Sequence, residues 1–260
     1  MTITADVLWE ILSRELAINV WPFFRIAGVL MVAPVFGTRL VPIRVRLALA
    51  IAVTFVLAPV LPAPAQTFQP NIASGLLLAQ ELLLGVAIGF CLQMIFDALI
   101  IAGQTISMGM GLGFAMMVDP QRGVSVPVIG QFFVILGMLI FLALGGHLAT
   151  LRLIADSFAA LPLGVPLPTD GVWVLVTYGS EMFAGALRIA LPAATALLVV
   201  NIAFGVMSRA APTLNLFAVG LPAGLLIGFL ILLVNIEHLA ALMATLLESS
   251  LGAIARMLAA

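Results

Sequence analysis

Charge is scarce in this chain. Of its 260 residues only 8% are charged and 64% are hydrophobic, whereas ordinary soluble domains carry roughly 25% charged residues. A soluble chain of this length needs a polar surface, and these residues are too few to make one. The surroundings must be lipid, or other apolar protein within a membrane, so the chain reads as an integral membrane protein. Lysine is missing altogether: all ten basic residues are arginine, a bias from which no mechanism follows. The net charge of −1 leaves neither a basic patch nor an acidic tail, so no nucleic-acid partner is expected. A single cysteine, Cys91, excludes an intrachain disulfide, and its apolar neighbours point to packing. A positive leading segment is also lacking, since Asp6 and Glu10 precede any basic residue. A secretory signal needs such a segment, so the first hydrophobic stretch is expected to stay in the mature protein.

Enzyme signatures are equally absent. There is no GxxxxGK[ST] phosphate loop, no HExxH zinc motif and no Cys/His cluster of ligand spacing. His147 and His238 stand alone, and lone histidines at helix ends are more often hydrogen-bonded structure than ligands. A glycine-rich stretch after Gly103 superficially resembles GxGxxG, but no strand precedes it and no ribose-binding acid follows. The expectation is a non-enzymatic protein with no cofactor and no metal.

What is present is apolar length. Six blocks separate at charges, prolines and polar clusters: Leu16–Phe36, Leu47–Leu61, Leu76–Ile101, Val126–Leu151, Val172–Phe204 and Leu214–Leu247. A membrane-crossing helix needs about 20 residues, so the second block is short and the sixth is long enough to tilt or continue past a bilayer. Backbone groups cannot go unsatisfied in lipid, and no ten-residue alternation suggests a membrane barrel. The fold class is all-α and polytopic, with kinked helical hairpins. Kinks are expected at Pro22, Pro34, Pro59, Pro127, Pro192 and Pro222, each of which removes a helix hydrogen bond. Small residues at four-residue spacing, Gly85–Gly89 and Gly220–Gly224–Gly228, allow close helix approach. If every block crosses once, Arg39, Arg44, Arg46, Arg122 and Arg209 share the cytoplasmic side, with Arg14, Arg152 and Arg256 opposite.

Arg25, Glu81, Asp97, Arg188 and Glu237 fall inside apolar blocks. An unpaired charge at a bilayer centre costs about 2.5–3.5 kcal/mol on insertion scales, so such residues face a cavity or a partner. Two readings are open. In one, a polytopic secondary transporter uses Glu81, Asp97, Arg188 and Glu237 to bind ions or substrate. In the other, the charges are ion pairs and hydrogen-bond anchors between helices, within the chain or across subunits. The second is favoured because no two carboxylates share a helix face at coordinating separation; Glu81 and Asp97 lie about 24 Å apart along a helix.

The segment Gly103–Pro120 reads GQTISMGMGLGFAMMVDP. Gly103, Gly109, Gly111 and Gly113 weaken it as a helix, by roughly 1 kcal/mol each relative to alanine. Met108, Met110, Met116 and Met117 supply polarizable side chains able to fill an irregular gap and repack. Such a segment suits a closure that seals and then yields. A Gly-rich loop buried among helices fits these residues equally well.

Ordered landmarks then carry a resemblance. They are Trp21-Pro22 with Arg25, Ala33-Pro34, Pro42-x-x-Val45-Arg46, Ala102-Gly103, Met110-Gly111-Leu112, and Phe114-Ala115 followed by Val118-Asp119-Pro120. Later come Pro127, Gly146-His147, Leu191-Pro192 with Asn201, and Arg209-x-x-Pro212 followed by Gly220-Leu221-Pro222. Across nearly its whole length the chain resembles the FliR family, a membrane component of the bacterial flagellar type III export gate. It departs at Gly109 and Thr213, where the family often carries glutamine. Virulence-system homologues share the architecture; the Trp21-Pro22…Arg25 and Asp119-Pro120 context is more flagellar.

The resemblance implies a single export-gate membrane domain over residues 1–260. About 1–170 would form a FliP-like part with a pore loop at 103–123, and about 171–260 a FliQ-like hairpin part. It implies assembly with FliP-like and FliQ-like subunits around a pore for unfolded exported proteins, alongside FlhB-like and FlhA-like components and membrane lipid. The location implied is the bacterial inner membrane at the flagellar basal body. The pore-gating loop would comprise Met108, Gly109, Met110, Gly111, Leu112, Gly113, Phe114, Met116 and Met117. Arg25, Arg46, Asp119, Pro120, Arg209 and Pro212 would serve assembly or structure.

Overall fold

A computed structural model describes residues 5–38, 41–62, 71–112, 128–210 and 216–259. Their regular structure is entirely α-helical: α1 (Ala5–Val32), α2 (Ile43–Leu57), α3 (Ile72–Gly109), α4 (Val128–Ala143), α5 (Gly146–Ala160), α6 (Thr169–Ala210) and α7 (Leu216–Ala259). The all-α, polytopic expectation holds.

The number of crossings is smaller than six among the described residues. There α3, α6 and α7 (over Gly220–Ala259) are long and apolar enough to cross a membrane, with a fourth if α4 and α5 count as one broken span. The reason is local. α1 ends at Val32, just before Pro34, and Val35 there has φ 70°; the described apolar part of α1 is Leu16–Val32. α2 has 15 residues, about 22 Å at 1.5 Å per residue, against a hydrocarbon core of about 30 Å. The fourth block breaks where Gly145 takes φ 71°.

The prolines fall in two settings. Pro22, Pro192 and Pro222 lie inside α1, α6 and α7, which continue through them. Each proline removes one backbone bond, which long packed helices absorb. Pro34 and Pro59 sit in turns after α1 and α2, while Pro127 lies outside the described residues.

The chain forms two compact units, each built from separated stretches. The first combines Met1–Gln93, Gly145–Tyr178 and Ser249–Ala260; the second combines Met94–Leu144 and Gly179–Glu248. In the first, α1 and α3 meet backbone to backbone. A Cβ on Gly28 would lie 2.5 Å from the Leu82 carbonyl oxygen, one on Gly89 2.8 Å from that of Val29, and one on Gly85 would strike that of Arg25. Ser250 of α7 closes onto the same helix, its Oγ donating to the Cys91 carbonyl at 3.2 Å. In the second unit α3 meets α4 at Gly103, where a Cβ would come within 2.5 Å of Gly130 Cα. Phe96 and Phe141 pack edge to face below it, with ring centroids 5.8 Å apart.

These contacts separate two kinds of glycine on one helix. Gly85→Ala is expected to destabilise the chain by about 1–3 kcal/mol through overpacking. Gly75→Ala, where nothing lies within 4 Å, is expected to stabilise it by about 0.5–1 kcal/mol. Thermal unfolding of both variants in detergent checks the pair, and equal effects would refute the notch.

Candidate functional site

In the first unit an arginine is enclosed. Arg25, on α1, is fully buried, and its Nε donates to Glu81 Oε2 on α3 at 2.6 Å. Nη1 donates to the carbonyl oxygens of Ser157 and Leu161, each at 2.9 Å, and to Ser157 Oγ at 3.4 Å. The guanidinium carbon sits 4.2 Å from the Phe158 ring centroid. Ser157 and Leu161 are at the C-terminal end of α5, where carbonyls lack helical partners and the dipole favours a cation. Glu81 turns its other oxygen to the Gly164 N–H at 3.3 Å, so one ion pair ties α1, α3 and the end of α5. Nη2 is buried without a partner. Both Glu81 oxygens are committed to the protein, which removes it from the set of free ion ligands a transporter would need.

In the second unit the Gly–Met segment begins as helix. α3 runs to Gly109, so Gly103, Met108 and Gly109 belong to a helix and not to a loop starting at Met108. The stop comes at Gly111, with φ 81°. The Leu112 N–H donates to the Ser107 carbonyl at 3.1 Å and the Gly111 N–H to that of Met108 at 3.1 Å. This is a Schellman ending, and its left-handed residue suits glycine. Asn201 of α6 adds a donor, its Nδ2 bonding the Gly109 carbonyl at 3.1 Å.

The turn is seated as well as capped. Met110 is 1% exposed and fills a notch over Gly228 of α7, where a Cβ would stand 2.5 Å from Met110 Cγ and 2.8 Å from Sδ. Gly109 faces Leu197 of α6, and a Cβ on Gly111 would lie 2.7 Å from Leu221 of α7. Met110 therefore acts as a wedge between helices, while Met108 is exposed. Gly113, Phe114, Met116 and Met117 lie outside the described residues, as do Asp119, Pro120 and Pro212.

The sequence profile of the family described as "Bacterial export proteins, family 1" matches residues 16–250. The chain belongs to this family. Similar proteins include the flagellar biosynthetic protein FliR of Escherichia coli K12, 39% identical over 212 residues and 80% of each chain. That of Pectobacterium carotovorum is 38% identical over 213 residues, 82% of this chain and 81% of its own. That of Aquifex aeolicus is 34% identical over 232 residues, 87% of this chain and 88% of its own.

The remaining candidate residues of this family 1 export protein are dispersed. Arg46 of α2 donates through Nε to the Val41 carbonyl at 3.0 Å and through Nη2 to that of Thr38, bracing the connection from α1. Arg209 is exposed in the last turn of α6, a favourable place for a cation at a helix C-terminus. Among the described residues no group of histidine, cysteine, aspartate or glutamate has the geometry to hold a metal ion. Sequence reasoning did not single out Ser157, Phe158 or the seat of Met110. Arg25 and Glu81 are 56 positions apart, beyond any local spacing rule; for the seat of Met110, Asn201, a polar residue in an apolar run, was an available signal.

Two outcomes are expected. Arg25→Ala leaves Glu81 buried and uncompensated, at a cost of about 3–5 kcal/mol. The double variant Arg25→Met/Glu81→Leu should recover at least half of that loss, measured by thermal unfolding in detergent. Gly228→Leu should eject Met110 and speed amide hydrogen exchange at Met110–Leu112 by at least tenfold, while amides near Arg25 stay protected.

Proposed function

We propose that the chain is the FliR-type subunit of a flagellar type III export gate, a non-enzymatic component of the pore through which unfolded flagellar proteins leave the cytoplasm. It assembles with FliP-like and FliQ-like subunits and works beside FlhB-like and FlhA-like export components. Its place is the bacterial inner membrane at the basal body. The stretch of about 1–170 corresponds to a FliP-like part and about 171–260 to a FliQ-like hairpin part. Residues 103–123 supply the closure, with the Met110 wedge holding the base of that segment.

One observation carries the reading beyond family membership. α6 and α7 have 42 and 44 residues, about 63 and 66 Å of helix, and only 17% of the apolar window of each is buried. A hydrocarbon core of about 30 Å covers half of such a length. Trp173, Val176, Phe183 and Leu187 are exposed along the first half of α6; sister subunits are the cover that apolar faces beyond a bilayer require.

Co-purification in mild detergent is the direct test. The chain is expected to leave the membrane with FliP-like and FliQ-like subunits in fixed stoichiometry; a stable, substrate-binding monomer would overturn the assignment. Deleting Gly113–Met117 should leave assembly intact and make the gate permeable to small solutes. An unchanged leak would remove the closure role.

A further inference from the structure

A cavity of about 390 Å³ opens between α6 and α7 in the second unit. Its floor is apolar and buried, with Ile106 of α3, Phe133 of α4 and Leu239 of α7, whereas Arg188 and His238 on its rim are exposed and Asn235 is half-buried. Neither Arg188 nor His238 has an ion-pair or hydrogen-bond partner among the described residues. Pro192, also in the wall, carries no N–H for the Arg188 carbonyl, which leaves an acceptor beside the guanidinium. Glu237 is exposed but does not line the cavity.

The position of the rim along the helices matters as much as its chemistry. From Arg188 the next charge on α6 is Arg209, and residues 189–208 between them hold none. On α7, residues 216–236 are likewise uncharged, up to Glu237 and His238. Each run is about 30 Å of helix, the thickness of a hydrocarbon core. Leu191, Leu198, Val199 and Ile202 on one arm, and Leu226, Phe229, Leu230 and Leu233 on the other, are exposed along it. Arg188 and His238 thus stand where a bilayer places its phosphates, above an apolar slot. Basic pockets between membrane helices bind anionic headgroups, with about 1 kcal/mol per basic residue near the surface.

We propose that this cavity is a binding site for an anionic phospholipid: the phosphate meets Arg188 and His238, and an acyl chain lies on the apolar floor. A single lipid held there neutralises an arginine that has no partner among the described residues and fills the gap between the two arms. The site is independent of the export reading, because it needs only the hairpin in a membrane.

Native mass spectrometry of the detergent-purified chain, alone and in its co-purified complex, tests it. Phosphatidylglycerol and phosphatidylethanolamine of identical acyl chains, added at equal concentration, are the probes. Wild type should retain phosphatidylglycerol roughly fivefold more than phosphatidylethanolamine. Arg188→Gln should abolish the preference, His238→Gln should reduce it, and Arg152→Gln, an exposed arginine of α5, should leave it unchanged. Equal retention of both lipids by wild type overturns the proposal without any variant having to fold. A preference kept by Arg188→Gln also overturns it. So does a preference seen in the isolated chain and absent from the complex, which would give the rim to an acidic side chain of a sister subunit.

Discussion

An arginine that never reaches water organises the first unit. Its position on α1 would be prohibitive in lipid without a counter-charge, and here the counter-charge comes from α3 while carbonyls at the end of α5 accept from Nη1 and only Nη2 goes without a partner. Such a cluster is a demanding constraint because its strength depends on every partner it has. A guanidinium shared among three elements holds them in one register, and losing any partner leaves a charge buried without compensation. The glycines at 28, 85 and 89 follow from this. α1 and α3 must approach until their backbones touch, and that closeness brings the Arg25 Nε within 2.6 Å of Glu81.

The same device recurs in the second unit with a different occupant. Gly228 clears a notch in α7, and a methionine from the end of α3 fills it. The glycine repeat on α7 thus receives a side chain, whereas the repeat on α3 receives a helix. Glycine in this protein works less by loosening helices than by subtracting Cβ atoms where something must come close. Gly111, just past α3, is the exception; its positive φ ends the helix and sets the start of the segment that follows. A flexible thioether in a rigid notch gives a joint that is tight when seated and inexpensive to vacate, since methionine repacks readily.

The helix lengths connect these details to the assembly. A polypeptide whose two longest helices run to twice a bilayer thickness, with exposed apolar side chains along α6 from Trp173 to Met207, is poorly finished by lipid alone. Part of that surface suits acyl chains, bounded by Arg188 and His238 on one side and Arg209 on the other. The part of α6 before Arg188 suits protein.

Helicity, membrane character and family were legible in the sequence because they depend on sums over many residues: hydropathy, scarcity of charge, and an ordered set of motifs. The intramembrane charges were visible as anomalies for the same reason, since a single arginine in an apolar run stands out. Their partners were not. Arg25 and Glu81 are separated by two loops and a helix, and only the crossing of α1 with α3 brings them together. Crossing number was less legible, because hydropathy measures how apolar a stretch is but not where its helix stops; the turn at Pro34, the break at Gly145 and the shortness of α2 bear on that. Composition alone established that these helices must avoid water. Which faces meet, which glycine is a notch and which a stop, and which arginine is paired and which left bare were decided by tertiary structure, because contacts between distant residues depend on how helices cross and no local pattern encodes a crossing.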